Sequence, residues 1–231
     1  MNCLLCAEPL VEEQSLFYLL TGYRPGKGLL CPICLKQFQK IGPVSCPGCG
    51  RIQDEWRLCQ DCERWKHQGQ ALLENQALYQ YNQQMKDYMA RYKFIGDYRL
   101  RRVFAQEMRG AVGKKMQEER LDLLVPIPIS TERMGSRGFN QVLPLLPKSK
   151  RMEELLAVLP GKRIDQSALK RADRLRSRQP FELVEGAKTL LAGRSVLLVD
   201  DVYTTGRTLY HAAHLLLEAG ATRVCSLTLA R

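Results

Sequence analysis

Apolar positions along the chain change period, and each change marks an element. Val196 to Val199 are four successive apolar residues, the pattern of a strand buried on both faces of a parallel sheet. Arg223 to Ala230, RVCSLTLA, reads as a second strand. Leu121 to Val125 reads as a third, stopped by Pro126 and Pro128, and Ala77 to Tyr81 alternates like a short fourth. Between these runs the period lengthens. Met85, Tyr88, Met89 and Tyr92 share one helical face, and beyond the turn YKFIGDYR the residues Leu100, Val103, Phe104, Met108, Ala111 and Val112 share another. These methionines and aromatics are expected in the core rather than on a base-stacking platform. Strands and helices in alternation predict an α/β fold, a mostly parallel sheet with helices on both faces.

The first 65 residues lack any such period and carry cysteines instead. Eight of the nine cysteines form four C-x-x-C pairs: Cys3 with Cys6, Cys31 with Cys34, Cys46 with Cys49, and Cys59 with Cys62. Thiolates at that spacing are zinc ligands, and a segment this poor in aliphatic residues needs the metal to fold. A disulfide framework is the alternative, against which stand a reducing compartment and the knuckles CPIC and CPGCG; redox chemistry needs one pair, not four. Four pairs make two tetrahedral sites. Joined in sequence they close loops of 24 and nine residues; interleaved, they close loops of 39 and 24. Closure entropy favours the sequential arrangement by a small margin and leaves the interleaved one open. Cys225 stands alone on a predicted strand and is expected to be a small buried hydrophobe. The expected organisation is a cysteine-rich zinc-binding domain over 1–65, a polar linker over 66–76 and an α/β domain over 77–231.

Length and composition are consistent with that division. A chain of 231 residues, 45% apolar, can bury one full α/β core and a small accessory domain. No apolar run reaches membrane-spanning length, and the N-terminal stretch lacks a basic segment followed by an apolar one, so a soluble, cytoplasmic protein without membrane insertion is expected. The formal charge of +11 falls to about +7 once eight thiolates hold two zinc ions. The basic excess lies outside the cysteine-rich part. Residues 148–178 carry ten bases and four acids, including KRADRLRSR from Lys170 to Arg178. One reading is a polyanionic partner, nucleic acid or the phosphates of a small ligand; the other is a solvated segment without a specific partner.

The most informative chemistry follows Val199. The stretch SVLLVDDVYTTGRTL passes from strand to two acids and then to three threonines and a glycine, just before a helical pattern resumes. Crevices outside the carboxyl ends of parallel strands collect ligands. Hydroxyls, backbone N–H groups and a helix N-terminus suit a phosphate, while Asp200 and Asp201 suit neutral hydroxyls or a bridging divalent cation. A plain strand-to-helix turn with Asp200 as helix cap is the simpler alternative, but a cap needs one acid, not two. The stretch resembles the ribose-phosphate signature of type I phosphoribosyltransferases, which bind 5-phosphoribosyl-1-pyrophosphate (PRPP). The resemblance implies that Asp200 and Asp201 contact the ribose 2- and 3-hydroxyls and that Thr204, Thr205, Gly206, Arg207 and Thr208 hold the 5-phosphate, with Val202 and Tyr203 between them. Tyr203 stands where a smaller aliphatic residue is usual, which puts a ring at the pocket floor.

Three features together resemble the ComF (ComFC) family, competence-associated proteins that join a cysteine-rich finger to a phosphoribosyltransferase domain: the cysteine pairs, the ribose-phosphate loop, and PIPISTERMGSRGFNQ from Pro126 to Gln141. The turn from Lys93 to Asp97 also fits. The resemblance implies support of DNA uptake in natural transformation, two structural zinc sites, and PRPP bound with Mg²⁺ as substrate or ligand of a phosphoribosyltransferase of unidentified acceptor. It implies that Arg133 and Arg137, on a glycine-punctuated mobile loop, meet the pyrophosphate with help from Lys93, since arginine forks match paired phosphate oxygens. With Asp200 and Asp201 they form the expected catalytic set. Acceptor-recognition elements of the family are eroded here to Gln166, Leu169, Gln179 and Phe181. His67, His211 and His214 receive no chemical role. The alternative is a non-catalytic adaptor that binds single-stranded DNA through the basic segment, or docks a helicase-like ATPase through its finger.

Overall fold

The structure, a computed structural model, describes residues 2–10, 29–95, 97–160 and 179–231. The basic run over 170–178, with Gln166 and Leu169, lies outside them.

The elements follow in chain order. Helices α1 (Pro32–Lys36) and α2 (Gln60–His67) belong to the cysteine-rich part, and β1 (Asn75–Tyr79) leads into α3 (Gln83–Ala90). Asn82 caps α3 by accepting from the Met85 N–H at 3.0 Å. A wider π-turn over Arg91–Ile95 and a 3₁₀ turn follow, then α4 (Arg101–Glu118) and β2 (Leu123–Pro126). Next come α5 (Thr131–Arg137), a 3₁₀ turn over Leu143–Leu145, β3 (Leu156–Val158) and β4 (Phe181–Leu183). The chain ends in α6 (Ala187–Leu191), β5 (Ser195–Val202), α7 (Arg207–Glu218) and β6 (Arg223–Ala230).

Four strands form one parallel sheet in the order β1-β6-β5-β2, and β3 and β4 pair apart as a short antiparallel ribbon. The expected α/β class holds, and the period-two alternation decides the core. Leu124, Leu197, Val199, Leu227 and Leu229 point to one face, where they meet Met85, Tyr88, Phe104 and Met108 from α3 and α4. Leu123, Val125, Val196 and Leu198 point to the other, against Leu191, Leu209, Ala212 and Leu216 from α6 and α7. Cys225 is buried on β6, as its lone position suggests.

Both sheet edges are covered. Residues 39–41 run antiparallel along β1, with the Ile41 N–H donating to the Leu78 carbonyl at 2.9 Å. On the far edge Leu124 donates to the Arg151 carbonyl at 2.8 Å and accepts from Glu153 at 2.9 Å. Such cover removes the rows of open donors and acceptors that invite pairing with another chain.

Four elements differ from expectation. β2 starts at Leu123 rather than Leu121 and takes in Pro126, which keeps register with Val199 of β5 instead of stopping the strand. β5 does not stop at Val199 but runs through both acids, because Asp200 and Val202 keep register with Thr228 and Ala230 of β6. β1 begins at Asn75, two residues early, since the buried Asn75 side chain bonds both the Cys49 carbonyl and Thr228. The glycine-punctuated stretch around Arg133 is a short helix: Ser130 caps it by accepting from the Arg133 N–H at 3.3 Å, and Gly138 ends it at φ +78°. No helix among the described residues is long and apolar enough to cross a membrane.

Candidate functional site

At the carboxyl end of β5 the paired acids are buried, Asp200 at 8% exposure and Asp201 at 4%. Lys93, carried inward by the π-turn, sets its Nζ 2.7 Å from Asp201 Oδ2. Asp200 Oδ1 accepts from the Asp201 backbone N–H at 2.8 Å. Burial first, and then the Asp201 charge, push the Asp200 carboxyl up to about 7, against the pull of Lys93, that N–H and Arg133. Two buried carboxylates at one strand end are a donor set for a hard divalent cation or for sugar hydroxyls, either of which would relieve their mutual repulsion.

Beyond the acids the chain turns sharply. Val202 is half-buried and Tyr203 buried, Thr204 and Thr205 are exposed, and Thr208 is intermediate. Gly206 sits at the N-cap of α7 with φ +81°, and a Cβ there would lie 2.1 Å from the Tyr203 hydroxyl. Glycine is therefore required twice, by conformation and by space. The phenol that replaces the usual aliphatic residue fills the floor under the turn. Arg207 is buried and its Nε donates to His211 Nε2 at 3.4 Å. Thus exposed hydroxyls, a glycine and the first turn of a twelve-residue helix are gathered beside the acids, a cradle for a phosphate.

Helix α5 brings the two arginines to the same end of the sheet. Arg133 acts on Asp200, and Arg137 donates to Gln141 Oε1 at 3.0 Å. Burial lowers the Arg137 guanidinium below its usual range, Arg133 adds to this, and Asp201 opposes it. Acids, Lys93 and both arginines thus form one electrostatic unit around the strand end.

The cysteines gather in sequence order, Cys3, Cys6, Cys31 and Cys34 in one cluster and Cys46, Cys49, Cys59 and Cys62 in another, with each set of sulfurs within 4.8 Å. Sulfurs around a tetrahedral zinc with bonds of about 2.3 Å stand about 3.8 Å apart. The Cys6–Cys31 and Cys49–Cys59 sulfurs lie at 3.7 and 3.6 Å, a match to that spacing and far beyond disulfide length. Backbone N–H groups of Cys31 and Cys59 point at the sulfurs of Cys3 and Cys46, each at 3.3 Å, as they would to support thiolates. Both donor sets fit zinc.

Two residues without any local signal also border the site. Trp65, at the end of the expected finger, donates from Nε1 to the Thr205 carbonyl at 3.3 Å, and Arg231 donates from Nη1 to the Thr204 carbonyl at 2.9 Å. These contacts span 140 and 27 positions; neither periodicity nor motif spacing carries such information.

Residues 143–231 match the phosphoribosyl transferase domain family. The chain is similar to the Competence protein ComFC of Streptococcus pneumoniae (strain ATCC BAA-255 / R6), 36% identical over 231 residues that cover 100% of both chains. It is also similar to the Competence protein ComFC of Bacillus subtilis (strain 168), 34% identical over 236 aligned positions covering 99% of this chain and 94% of the relative. A solved structure of the allosteric regulatory enzyme of purine biosynthesis aligns over 52% of this chain and 25% of its own at 21% identity, with a TM-score of 0.30, too faint a likeness to bear on function.

Proposed function

Because the chain belongs to the ComFC family of competence proteins, we propose that it supports DNA uptake in natural transformation by binding PRPP with Mg²⁺ at the end of β5 and transferring the phosphoribosyl group. The observation that carries this reading is the buried Asp200–Asp201 pair running directly into the Thr204–Gly206 cradle. The two parts suit the two ends of one ligand, hydroxyls and phosphate.

In the transfer, the bond from ribose carbon 1 to pyrophosphate breaks, the pyrophosphate leaves with the electron pair, and a lone pair of the acceptor forms the new bond. Charge grows positive on the sugar ring and negative on the leaving group. Asp200 and Asp201 stabilise the first by holding the hydroxyls, and Arg133 and Arg137 the second. Asp200 and Asp201 would hold Mg²⁺, which would supply charge neutralisation of the pyrophosphate. Lys93 holds the Asp201 carboxylate in place until ligand hydroxyls replace it.

Titration calorimetry of the zinc-loaded protein with PRPP and Mg²⁺ tests the reading. Binding is expected in the wild type and is lost in Asp200→Ala/Asp201→Ala; no heat of association in the wild type overturns it. Pyrophosphate release with nucleobases, amines or nucleic acid as acceptors then tests transfer.

The exposed apolar side chains of the cysteine-rich part favour a second reading. Ile33 and Trp56 are 73% and 68% exposed, and Leu35 and Val44 are open to solvent. On this reading the protein is a non-catalytic adaptor whose finger docks a helicase-like ATPase, with single-stranded DNA on its basic segment. Ile33→Asp/Trp56→Asp abolishes docking if so, and an unchanged complex disposes of it.

A further inference from the structure

The turn that cradles the phosphate is held from beneath by residues to which ligand binding itself assigns nothing. Arg231 follows β6; besides its bond to the Thr204 carbonyl, its guanidinium carbon lies 4.8 Å from the Tyr203 ring centroid. Trp65, three residues after Cys62, bonds the Thr205 carbonyl and stacks on Tyr210 with centroids 4.2 Å apart. In a trans peptide the N–H points opposite to the C=O. Drawing these two carbonyls inward therefore turns the Thr205 and Gly206 N–H groups outward, and neither meets a backbone carbonyl among the described residues. They are left for an acceptor such as a phosphate oxygen.

The same arginine faces the second cysteine cluster. Its side chain is only 8% exposed and comes 3.9 Å from Asp61, one residue before Cys62. Its Nε and Nη2 are buried and reach no oxygen or nitrogen acceptor in hydrogen-bond range among the described residues, while its charge acts on the Cys49 thiol. Zinc held by four thiolates carries a net negative charge, and a buried cation beside it offsets that charge.

We propose that Arg231 is a positioning residue that ties the second metal cluster to the phosphate turn. On one side it balances the thiolate charge, and on the other it fixes the Thr204 peptide, with Trp65 fixing the next. Metal at Cys46, Cys49, Cys59 and Cys62 thereby keeps the turn in its ligand-ready form. Only the identity of the ligand rests on the function proposed above.

The test uses the full-length, zinc-loaded protein and three variants: Arg231→Met, which keeps the apolar stem without the guanidinium; Arg231→Lys, which keeps the charge without the fork; and Trp65→Phe, which keeps the stack without the donor. Amide exchange over 203–208, zinc release to a colorimetric chelator and titration with PRPP and Mg²⁺ are measured. In Arg231→Met, exchange rises and PRPP binding weakens, each by about tenfold, as expected for loss of a charged hydrogen bond. One of the two zinc equivalents also leaves faster. PRPP raises the zinc affinity, read by competition with the chelator at equilibrium, in the wild type but not in the variant, as reciprocal coupling demands. Arg231→Lys releases zinc like the wild type yet exchanges faster over 203–208. Unchanged exchange and zinc release in Arg231→Met overturn the proposal even if PRPP binds normally. Altered exchange and release in a protein that never binds PRPP uphold the coupling and sink the ligand instead. Should Arg231→Met fail to fold, Trp65→Phe decides, since unchanged exchange over 203–208 there removes the carbonyl pinning.

Discussion

The two cysteine clusters share ligand type, ligand spacing and local geometry, yet they pack on opposite faces of the sheet. The first belongs to the face of α3 and α4, leaves Cys6 exposed, and passes through Phe38 to the strip that covers the edge of β1. All four cysteines of the second are buried, and it belongs to the face of α6 and α7, where a Cβ on Gly48 would lie 2.8 Å from the Cys62 sulfur. It continues through Trp65 to the phosphate turn. One cluster finishes an edge and the other underlies the turn after β5. Ligand spacing tells what captures a metal; it does not tell what the metal holds in place.

The most forceful way to break this contrast is to unmake each cluster in turn. Cys62→Ser opens a fully buried site, and we expect the melting temperature to fall by more than about 10 °C, with loss of one zinc and of PRPP binding. Cys6→Ser, at the exposed corner, should also lose one zinc but leave PRPP affinity and exchange over 203–208 near wild type. Metal analysis with thermal melts checks both. Equal damage to ligand binding would erase the distinction.

A smaller effect sharpens the contrast at the turn itself. Gly206→Ala forces a side chain to φ +81° and into the Tyr203 ring. Strain and overpacking of about 3 kcal/mol should lower the melting temperature by about 8 °C and abolish PRPP binding. Adding Tyr203→Val removes the overlap but not the strained φ, so stability should recover in part. If the double variant is no better than the single one, the ring is not what supports the turn.

The smallest expected effect is one of pH. Asp200 titrates near 7 in the folded protein against 3.8 when exposed, so between those values the folded state holds a proton that the unfolded state has lost. Stability contributed by this group is full below pH 4 and declines as pH rises through 7. Thermal melts of the ligand-free protein should show that decline in the wild type and a flatter profile in Asp200→Asn. No cysteine of the first cluster is among the groups that shift Asp200, so Cys6→Ser should keep the wild-type slope, and a slope lost there would reveal a coupling through the helix face that both share.

What the chain disclosed in advance was what depends on near neighbours. The buried run Val196–Val199, the helical faces of Met85–Tyr92 and Leu100–Val112, and the sequential grouping of cysteines all follow from short-range pattern. The end of the apolar run makes the acids the start of a loop by pattern alone; β6 holds them in the strand through Thr228 and Ala230. Glycines suggest a mobile loop at Arg133, although Ser130 and Gly138 are a helix's own start and stop signals. By position Trp65 is the end of a finger. Its bond to Thr205, like that of Arg231 to Thr204, exists only once the sheet has brought distant segments together.

The strand order has a consequence for how the chain is made. β1 has a single sheet neighbour, β6, which the ribosome delivers after every other strand of that sheet. Through most of synthesis β1 therefore waits, while the cysteine pairs ahead of it, close in sequence, can already find one another. Metal capture comes early and sheet closure late. The cysteines can thus meet before the turn after β5 has a finished sheet to rest on.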